Sequence, residues 1–364
     1  MNRRNFLRLT GAAAVSVALP LPRMSRALAA TEPRWRVFEV TTTVDILRPA
    51  GVSRAWVALP LAVDTDFQKS LGNEWSAPGG KAWLAHDDHY GLSLVAAEWA
   101  AGAKPVLEVK SRFTTRDWSV DLAGKPGTQT LDPAARRLWT APTRLIPTDG
   151  IVFATSHRIL NGVKGGDIVR ARALYDWVCD NSFRDPKTKG CGLGDIKFML
   201  ETKAMGGKCA DINALFVGLA RAAGIPARDV FGVRVADSQR GYQALGRAGD
   251  ITKAQHCRAE FWADGVGWIP VDPGDVRKVI LEEPPGNLPV DDPKVQAARG
   301  YLFGAWEMNW LAYNYAHDVV LPGSNHGPVG FLMYPQGETS EGRLDCLDPA
   351  RFKYALTSRE LSFS

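Results

Sequence analysis

The sequence predicts an α+β fold, because two different periodicities occupy different parts of the chain. From Arg34 to about Asp121, short segments alternate apolar and polar residues between Gly, Pro and Asp clusters, which is typical of antiparallel strands. From Asp167 to Asp180 the apolar residues instead recur at helical spacing. Strands return after Gly224 and end in a hairpin from His256 to Asp272. We therefore expect a mixed core behind a strand-rich first domain.

These changes in pattern divide the chain into five parts. Residues 1–29 are predicted to be an export signal, 33–125 a β-sandwich domain, 126–165 a linker, 166–280 the α+β core, and 281–364 a C-terminal extension that packs on the core.

The first residues have the layout of a cleavable export signal. Arg3-Arg4 precede an apolar run from Gly11 to Pro20, and Ala27-Leu28-Ala29 supplies a small-residue cleavage site. The arginine pair resembles the twin-arginine (Tat) export motif. The apolar run is shorter than the ~20 residues that span a bilayer. The sequence thus predicts an exported, periplasmic protein that meets the Tat translocase during export and has no membrane span in the mature chain.

Composition and charge narrow the class of partner. The chain has 364 residues, of which 45% are hydrophobic and 23% charged, as in ordinary globular proteins. Its formal net charge of +5 arises from five arginines within residues 1–29, which contain no acidic residue. The remaining chain is close to neutral, so electrostatics offer no reason to expect nucleic acid or an anionic membrane as a partner.

The cysteine count leaves two arrangements open. The five cysteines are Cys179, Cys191, Cys209, Cys257 and Cys346, an odd number for an oxidising compartment. One arrangement pairs Cys179 with Cys191 and Cys257 with Cys346, which leaves Cys209 free. In the other, all five are reduced and packed, and the sequence does not decide between them.

The strongest local signal surrounds Cys209. Gly206-Gly207-Lys208 precede this cysteine, and an apolar helix face follows it until Gly224 and Pro226 end the helix. A thiol has an unperturbed pKa of about 8.5, so a nucleophilic cysteine needs a neighbour that favours thiolate. The first turn of a helix does so, and the two glycines allow close approach of a substrate. Cys209 is therefore the candidate nucleophile.

The hairpin supplies the partners that such a nucleophile needs. If the turn Asp264 to Gly267 is tight, residue 258 lies opposite residue 272, and His256 is one diagonal step from Asp272 on the same face. A carboxylate there can accept a proton from one imidazole nitrogen and leave the other facing sulfur. His256 is the candidate base and Asp272 the residue that orients it.

At these residues the sequence resembles the transglutaminase-like superfamily, in particular its bacterial branch of cysteine-protease type. The motifs that carry the resemblance are Ala171-Leu174-Tyr175-Asp176-Trp177, Gly207-Lys208-Cys209-Ala210-Asp211, Leu215-Phe216-Val217, Ala220 to Arg228, His256 with Glu260-Phe261, and Gly267-Trp268 with Val271-Asp272-Pro273. The resemblance implies a papain-like core, in which the cysteine helix packs on an antiparallel sheet, and a Cys-His-Asp triad that transfers acyl groups from amides through a thioester.

We expect the substrate to be a peptide or protein with an amide side chain or peptide bond, and hydrolysis to be the reaction. The alternatives are transfer of the acyl group to an amine, as in a transglutaminase, and a non-catalytic binding or scaffold role. The chemistry requires no cofactor. Zinc ligands drawn from Cys209, His256, Cys257 or Asp272 lack the spacing of known zinc motifs, so no metal is expected.

Overall fold

The computed structural model describes residues 34–362 of the chain. The predicted export signal, with its twin-arginine motif, lies outside these residues. The described part contains seven α-helices: α1 (Pro133–Thr140), α2 (Gly150–Leu160), α3 (Asp167–Asn181), α4 (Ile196–Thr202), α5 (Cys209–Ala222), α6 (Pro273–Glu282) and α7 (Pro293–Tyr301). A short 3-10 helix spans Gln243–Leu245.

Twenty strands complete the described secondary structure. They are β1 (Arg36–Ile46), β2 (Ser53–Ala58), β3 (Gln68–Ser76), β4 (Lys81–Asp87), β5 (Leu92–Trp99), β6 (Val106–Thr115), β7 (Trp118–Ser119), β8 (Phe183–Arg184), β9 (Gly206–Gly207), β10 (Ala227–Arg234), β11 (Gly249–Asp250), β12 (Gln255–Ala263), β13 (Gly267–Val271), β14 (Ala305–Trp306), β15 (Trp310–Asn314), β16 (His317–Val319), β17 (Val329–Phe331), β18 (Gln336–Thr339), β19 (Gly342–Arg343) and β20 (Phe352–Leu361). The predicted α+β class is confirmed.

Two five-stranded antiparallel sheets form the strand-rich part. Their strand orders are β11-β20-β1-β6-β3 and β19-β18-β2-β5-β4. Inward side chains from both sheets, including Val44, Val57, Val95 and Val109, pack into one apolar cluster, as in a two-layer sandwich. The strands before residue 120 therefore form the strand-rich region that the alternating pattern predicts.

The C-terminal residues are divided between the two parts of the molecule. Residues 281–364 were expected to pack on the core as an extension, but only β15 joins the core sheet, beside β10. Strand β20 pairs with β1 along ten residues, and β18 pairs with β2. The sandwich is consequently built from both ends of the described chain.

The core places helix α5 against the antiparallel sheet β13-β12-β10-β15. Every residue of α5 except Ala222 is buried, as expected for a helix that is covered on all sides. Its apolar side chains pack with those of α3 and of the hairpin β12-β13. The hairpin register is the predicted one, because Ala259 lies opposite Val271 and Ala263 opposite Gly267.

Residues 126–165, expected to be a linker, contain helices α1 and α2. Asp132 caps α1 by accepting hydrogen bonds from the amides of Ala134 and Ala135. Helix α2 packs on α5, where the hydroxyl of Ser156 donates to the carbonyl of Leu219 at 2.8 Å. Pro133 is the first residue of α1, a position at which proline is tolerated because the amide there has no intrahelical partner.

Within residues 34–362, none of the helices combines the length and apolar character needed to cross a membrane.

Candidate active site

Cys209 is the first residue of α5 and is almost fully buried. The amides of Ala210 and Asp211 have partners in the carbonyls of Cys191 and Lys208. Among the described residues, the Cys209 amide has no such partner, as expected at a helix N-terminus. This amide is therefore available to a group that approaches the sulfur.

The loop that precedes α5 is held by the carboxylate of Asp211. It accepts hydrogen bonds from the amides of Lys208 at 3.0 Å, Leu193 at 3.0 Å and Gly194 at 2.9 Å. Gly192 has φ +94°, and a Cβ there would lie 1.8 Å from an Asp211 carboxylate oxygen. Asp211 thus fixes the chain on both sides of the Cys209 turn, and only glycine fits at position 192.

His256 lies near the start of β12 and contacts Asp272, which directly follows β13. The distance from His256 Nε2 to Asp272 Oδ2 is 2.7 Å, and both side chains are buried. Because an ionised carboxylate only accepts hydrogen bonds, Nε2 carries the proton in this contact. Nδ1 is then left for the sulfur of Cys209, with which the imidazole interacts. The structure thus brings all three predicted site residues together.

A second carboxylate, which the sequence analysis missed, faces the same imidazole nitrogen. Asp275 Oδ2 lies 3.4 Å from His256 Nε2. Its other oxygen accepts from Arg234 Nη2 at 2.6 Å, a pair that is almost fully buried. Arg258 Nε lies 3.6 Å from Asp272 Oδ2. Arg258 thus approaches the same oxygen of Asp272 that contacts the imidazole, whereas Arg234 binds the other oxygen of Asp275.

Asn213 ties the helix to the triad and was also missed. Its amide nitrogen donates to Cys257 O at 2.8 Å and to Asp272 Oδ1 at 3.2 Å. Its amide oxygen accepts from the Gly274 amide at 3.0 Å. Asn213 lies four residues after Cys209, so it occupies the same helix face, and that spacing is the signal that could have identified it.

The electrostatic surroundings favour a thiolate and an imidazolium. Burial alone would lower the pKa of His256, but the carboxylates of Asp275 and Asp272 outweigh it and raise this pKa to about 9. The pKa of Cys209 is held well below its usual value, first by hydrogen bonds from the thiols of Cys191 and Cys257 and then by His256. The ion pair is consequently the stable form of the two groups near neutral pH.

The two aspartates respond differently to this environment. Burial, and then the like charge of Asp275, raise the pKa of Asp272. Burial would also raise the pKa of Asp275, but the charges of Arg234 and His256 together outweigh it and hold this pKa well below the ordinary value. The pKa of His256 and the pKa of Asp272 are thus both raised, although the two groups are partners. The negative charge of Asp275 acts on each of them in that direction. The negative charge is held most firmly on Asp275.

Three thiols meet at the nucleophile. Cys191, Cys209 and Cys257 share one buried cluster. All five cysteines are free thiols in the structure. Cys179 lies in the main core instead, and the pairings of Cys179 with Cys191 and of Cys257 with Cys346 are not formed.

His256, Asp272 and Asp275 are the residues that could hold a metal ion, because one ligand atom of each lies within 4.8 Å of the others. The positive charge that these carboxylates need is already present, however. The imidazolium contacts both carboxylates, and Arg234 and Arg258 add two further positive charges beside them. A divalent cation would have to displace these partners, so the donor set fits an acid-base site better than a metal centre.

The site opens into a cavity of about 750 Å³ that Cys209 and His256 both line. Gln255 lines it as well. Its side-chain nitrogen Nε2 is buried and lacks a hydrogen-bond partner among the described residues, which is unusual for a buried amide. The cavity is therefore lined by a thiol, an imidazole and Gln255, and two N–H donors of these residues, the Cys209 amide and Gln255 Nε2, have no partner among the described residues.

The fold is that of a transglutaminase-like protein. Residues 155–273 match the sequence profile of the transglutaminase-like superfamily, and the chain contains a domain of that superfamily. It is also 35% identical over 344 residues to an uncharacterized protein of Haemophilus influenzae, with 89% of this chain and 92% of the relative covered. The chain belongs to the same family as that protein.

Two solved structures are similar to the chain. One is a provisionally assigned cysteine protease from Cytophaga hutchinsonii, 15% identical with a TM-score of 0.49, which covers 90% of this chain and 99% of its own. The other is the periplasmic domain of TgpA from Pseudomonas aeruginosa, 16% identical with a TM-score of 0.34, which covers 72% and 93%.

Proposed function

We propose that this protein is a thiol-dependent hydrolase of amide bonds, in peptide or isopeptide linkage, that acts through Cys209, His256 and Asp272. The observation that carries the proposal is the contact of His256 Nε2 with Asp272 at 2.7 Å, beside a cysteine at a helix N-terminus. This geometry supports a thiolate with an imidazolium acid next to it and a carboxylate that fixes the imidazole tautomer.

In the first half-reaction the Cys209 thiolate attacks the amide carbonyl carbon. The developing oxyanion accepts hydrogen bonds from the Cys209 amide and from Gln255 Nε2, the two unused donors of the cavity. His256 then gives its Nδ1 proton to the leaving nitrogen, the C–N bond breaks, and a thioester and a free amine or ammonia result. Asp272 stays ionised and keeps the Nε2 proton in place.

In the second half-reaction water replaces the amine. Neutral His256 removes a proton from water, the hydroxide attacks the thioester carbonyl, and the C–S bond breaks to release a carboxylic acid and the thiolate. The proton on His256 regenerates the starting ion pair. Hydrolysis is favoured over transfer to an amine because water is always present and the cavity presents no acidic side chain beside Cys209 that would hold an amine acceptor.

The first experiment measures the rate of Cys209 alkylation by iodoacetamide against pH, with mass spectrometry of the peptide that contains Cys209. We expect rapid labelling below pH 7 in the wild type, because the pKa of Cys209 is low, and slow labelling in His256→Ala. Equal, slow labelling of both proteins would instead support a non-catalytic role.

Turnover is tested separately with unlabelled protein substrates, with and without added cadaverine, by mass spectrometry. Release of carboxylic acid products that Cys209→Ala fails to form supports hydrolysis. Incorporation of cadaverine in place of water would assign the reaction to amine transfer.

The location of the substrate follows from the first residues of the chain. We propose export by the Tat translocase and a periplasmic peptide or protein substrate. Replacement of Arg3-Arg4 by Lys-Lys is expected to abolish export, as measured by fractionation of cells that produce either protein. Unchanged export of the Lys-Lys variant would reject the twin-arginine assignment.

A further inference from the structure

The catalytic cavity has a charge excess that the rest of the protein lacks. Beyond residues 1–29, the chain contains as many acidic as basic residues, because the five arginines of that segment account for the whole net charge of +5. The cavity that contains Cys209 and His256 is lined by seven lysine and arginine side chains and by one acidic side chain, Glu282. On a protein with equal numbers of acidic and basic residues, a random distribution of charges would not give this ratio of basic to acidic side chains.

Four of these cations have carboxylate partners. Arg184 and Lys278 share Glu282, Lys189 pairs with Asp345, and Arg234 pairs with the buried Asp275. Two cations thus compete for one carboxylate. Burial, and then the charge of Arg234, hold the pKa of Lys278 below its ordinary value, which is consistent with crowding of positive charge at this wall.

The other three cations have no carboxylate partner among the described residues. Lys208 Nζ donates to the carbonyl of Thr188 at 2.7 Å, and Arg247 Nε to the carbonyl of Asp250 at 2.9 Å. Lys253 is exposed and makes no hydrogen bond within the described part of the chain. These side chains can therefore receive anionic groups from a ligand without first giving up a carboxylate.

The positions of the three cations relate them to the reacting atoms. Lys208 directly precedes Cys209, while Arg247 and Lys253 belong to the segment that leads into β12 and His256. They therefore flank the cleft from the cysteine side and from the histidine side. A cleft lined by charge of one sign focuses its field on an approaching ligand.

The adjoining cavity has a different character. It has a volume of about 900 Å³ and shares Cys191 and Tyr334 with the catalytic cavity. Its lining includes the exposed apolar side chains of Leu193 and Phe198, and its acidic residues outnumber its basic ones. The excess of cations thus belongs to the side of the cleft where Cys209 and His256 are reached, although Lys189 lines both cavities.

We infer that the substrate is an anionic peptide, with carboxylates within a few residues of the amide that Cys209 attacks. Lys208, Arg247 and Lys253 bind these carboxylates and set the substrate register. The inference rests on the proposed hydrolase function for its biological meaning, but binding can be measured without turnover.

The test uses Cys209→Ala protein and three fluorescein-labelled heptapeptides that each contain a central glutamine flanked by glutamate, glutamine or lysine. Fluorescence anisotropy at low and moderate salt gives the dissociation constants. We expect the glutamate peptide to bind about tenfold more tightly than the glutamine peptide at low salt, and the difference to shrink as salt is added. In Arg247→Gln/Lys253→Gln the ratio of the two dissociation constants falls about tenfold, so that the preference is lost. The control variant Lys164→Gln removes an exposed lysine outside the cavity and keeps the preference.

The outcomes separate this inference from the proposed function. Equal binding of the three peptides, or a preference that the double variant keeps, overturns the inference even if the wild type cleaves amides. A preference for the acidic peptide that depends on Arg247 and Lys253 supports it, even if the alkylation and turnover experiments reject the hydrolase.

Discussion

Replacement of Asp275 by Asn tests whether the second carboxylate sets the protonation of the base. Asp275 Oδ2 lies 3.4 Å from His256 Nε2 and is the first of the groups that raise the pKa of His256 to about 9 from its ordinary value of 6.5. That rise corresponds to roughly 3 kcal/mol of favourable interaction with the imidazolium. A neighbouring charge at this distance shifts a pKa by about 1 to 3, so Asp275→Asn is expected to bring the pKa of His256 to between about 6 and 8.

The same substitution leaves Arg234 buried without its carboxylate. Loss of one partner of a buried ion pair costs about 3 to 5 kcal/mol, which can unfold the variant. Asp275→Asn/Arg234→Met removes both charges and serves as the companion variant that keeps the fold. Urea denaturation establishes which of the two proteins is folded before His256 is examined.

The pKa of His256 is measured by NMR titration of histidine-labelled protein, with His256→Ala to assign the signal. A folded-state pKa above the unfolded value means that His256 contributes stability below about pH 6.5, and that this contribution is lost as the pH rises through about 9. The loss should move to lower pH in Asp275→Asn, and by less in the double variant, because Arg234 itself lowers the pKa of His256. A His256 pKa that stays near 9 in folded Asp275→Asn, or that rises in the double variant, would refute this account of the site.

Three other substitutions test separate parts of the arrangement. Asn213→Ala should destabilise the protein by about 1 to 3 kcal/mol in urea denaturation, because the Gly274 amide loses its acceptor, and an unchanged unfolding free energy would contradict this role. Gln255→Leu should lower kcat by about 10² without loss of stability, and an unchanged kcat would make Gln255 a packing residue only. Gly192→Ala should lower the melting temperature more than Gly241→Ala does. Both glycines have positive φ, but only at position 192 would an added Cβ clash with a neighbouring side chain, that of Asp211. Equal decreases in melting temperature would contradict this clash.

The part of the site that the sequence predicted is the part whose signals are local. A glycine pair before an apolar helix places Cys209 at a helix start, and a four-residue turn fixes the register of the hairpin. The diagonal relation of His256 to Asp272 follows from that register alone. The sequence can therefore predict which residues of one helix and one hairpin lie close together, because few backbone conformations satisfy both the helix pattern and the hairpin pattern.

The second carboxylate could not be predicted in this way. Asp275 approaches His256 only because Asp272 caps α6 and turns the first helical turn back toward the hairpin. Its partner Arg234 comes from the end of β10, whose distance from α6 depends on the packing of the whole core. By contrast, Asn213 was within reach of sequence reasoning, since it lies one helical turn beyond Cys209.

The largest difference lies in the C-terminal residues. Strand β20 alternates in burial like the N-terminal strands, but its sequence does not specify that β1, more than 300 residues earlier, is its partner. Pairing between distant segments depends on sheet edges that exist only after the rest has folded. A boundary based on changes in composition therefore assigned residues 281–364 to the core alone, whereas in the structure they pack on both the core and the sandwich.

The order of charges around His256 explains how a buried ion pair can form without a net charge in the core. Asp272 and Asp275 are each matched by an arginine, so transfer of a proton from Cys209 to His256 leaves the cluster neutral in total. The carboxylate oxygens of Asp272 and Asp275 lie 2.7 and 3.4 Å from Nε2, while Arg258 lies 3.6 Å from the same Asp272 oxygen and Arg234 binds the other oxygen of Asp275. The imidazolium thus meets negative charge first, while the thiolate meets the helix N-terminus and two thiol donors. Removal of Arg234 would leave the same contacts to His256 but an unbalanced carboxylate, and so we expect stability to fall. The pKa of His256 should rise at the same time, because the charge of Arg234 lowers that pKa.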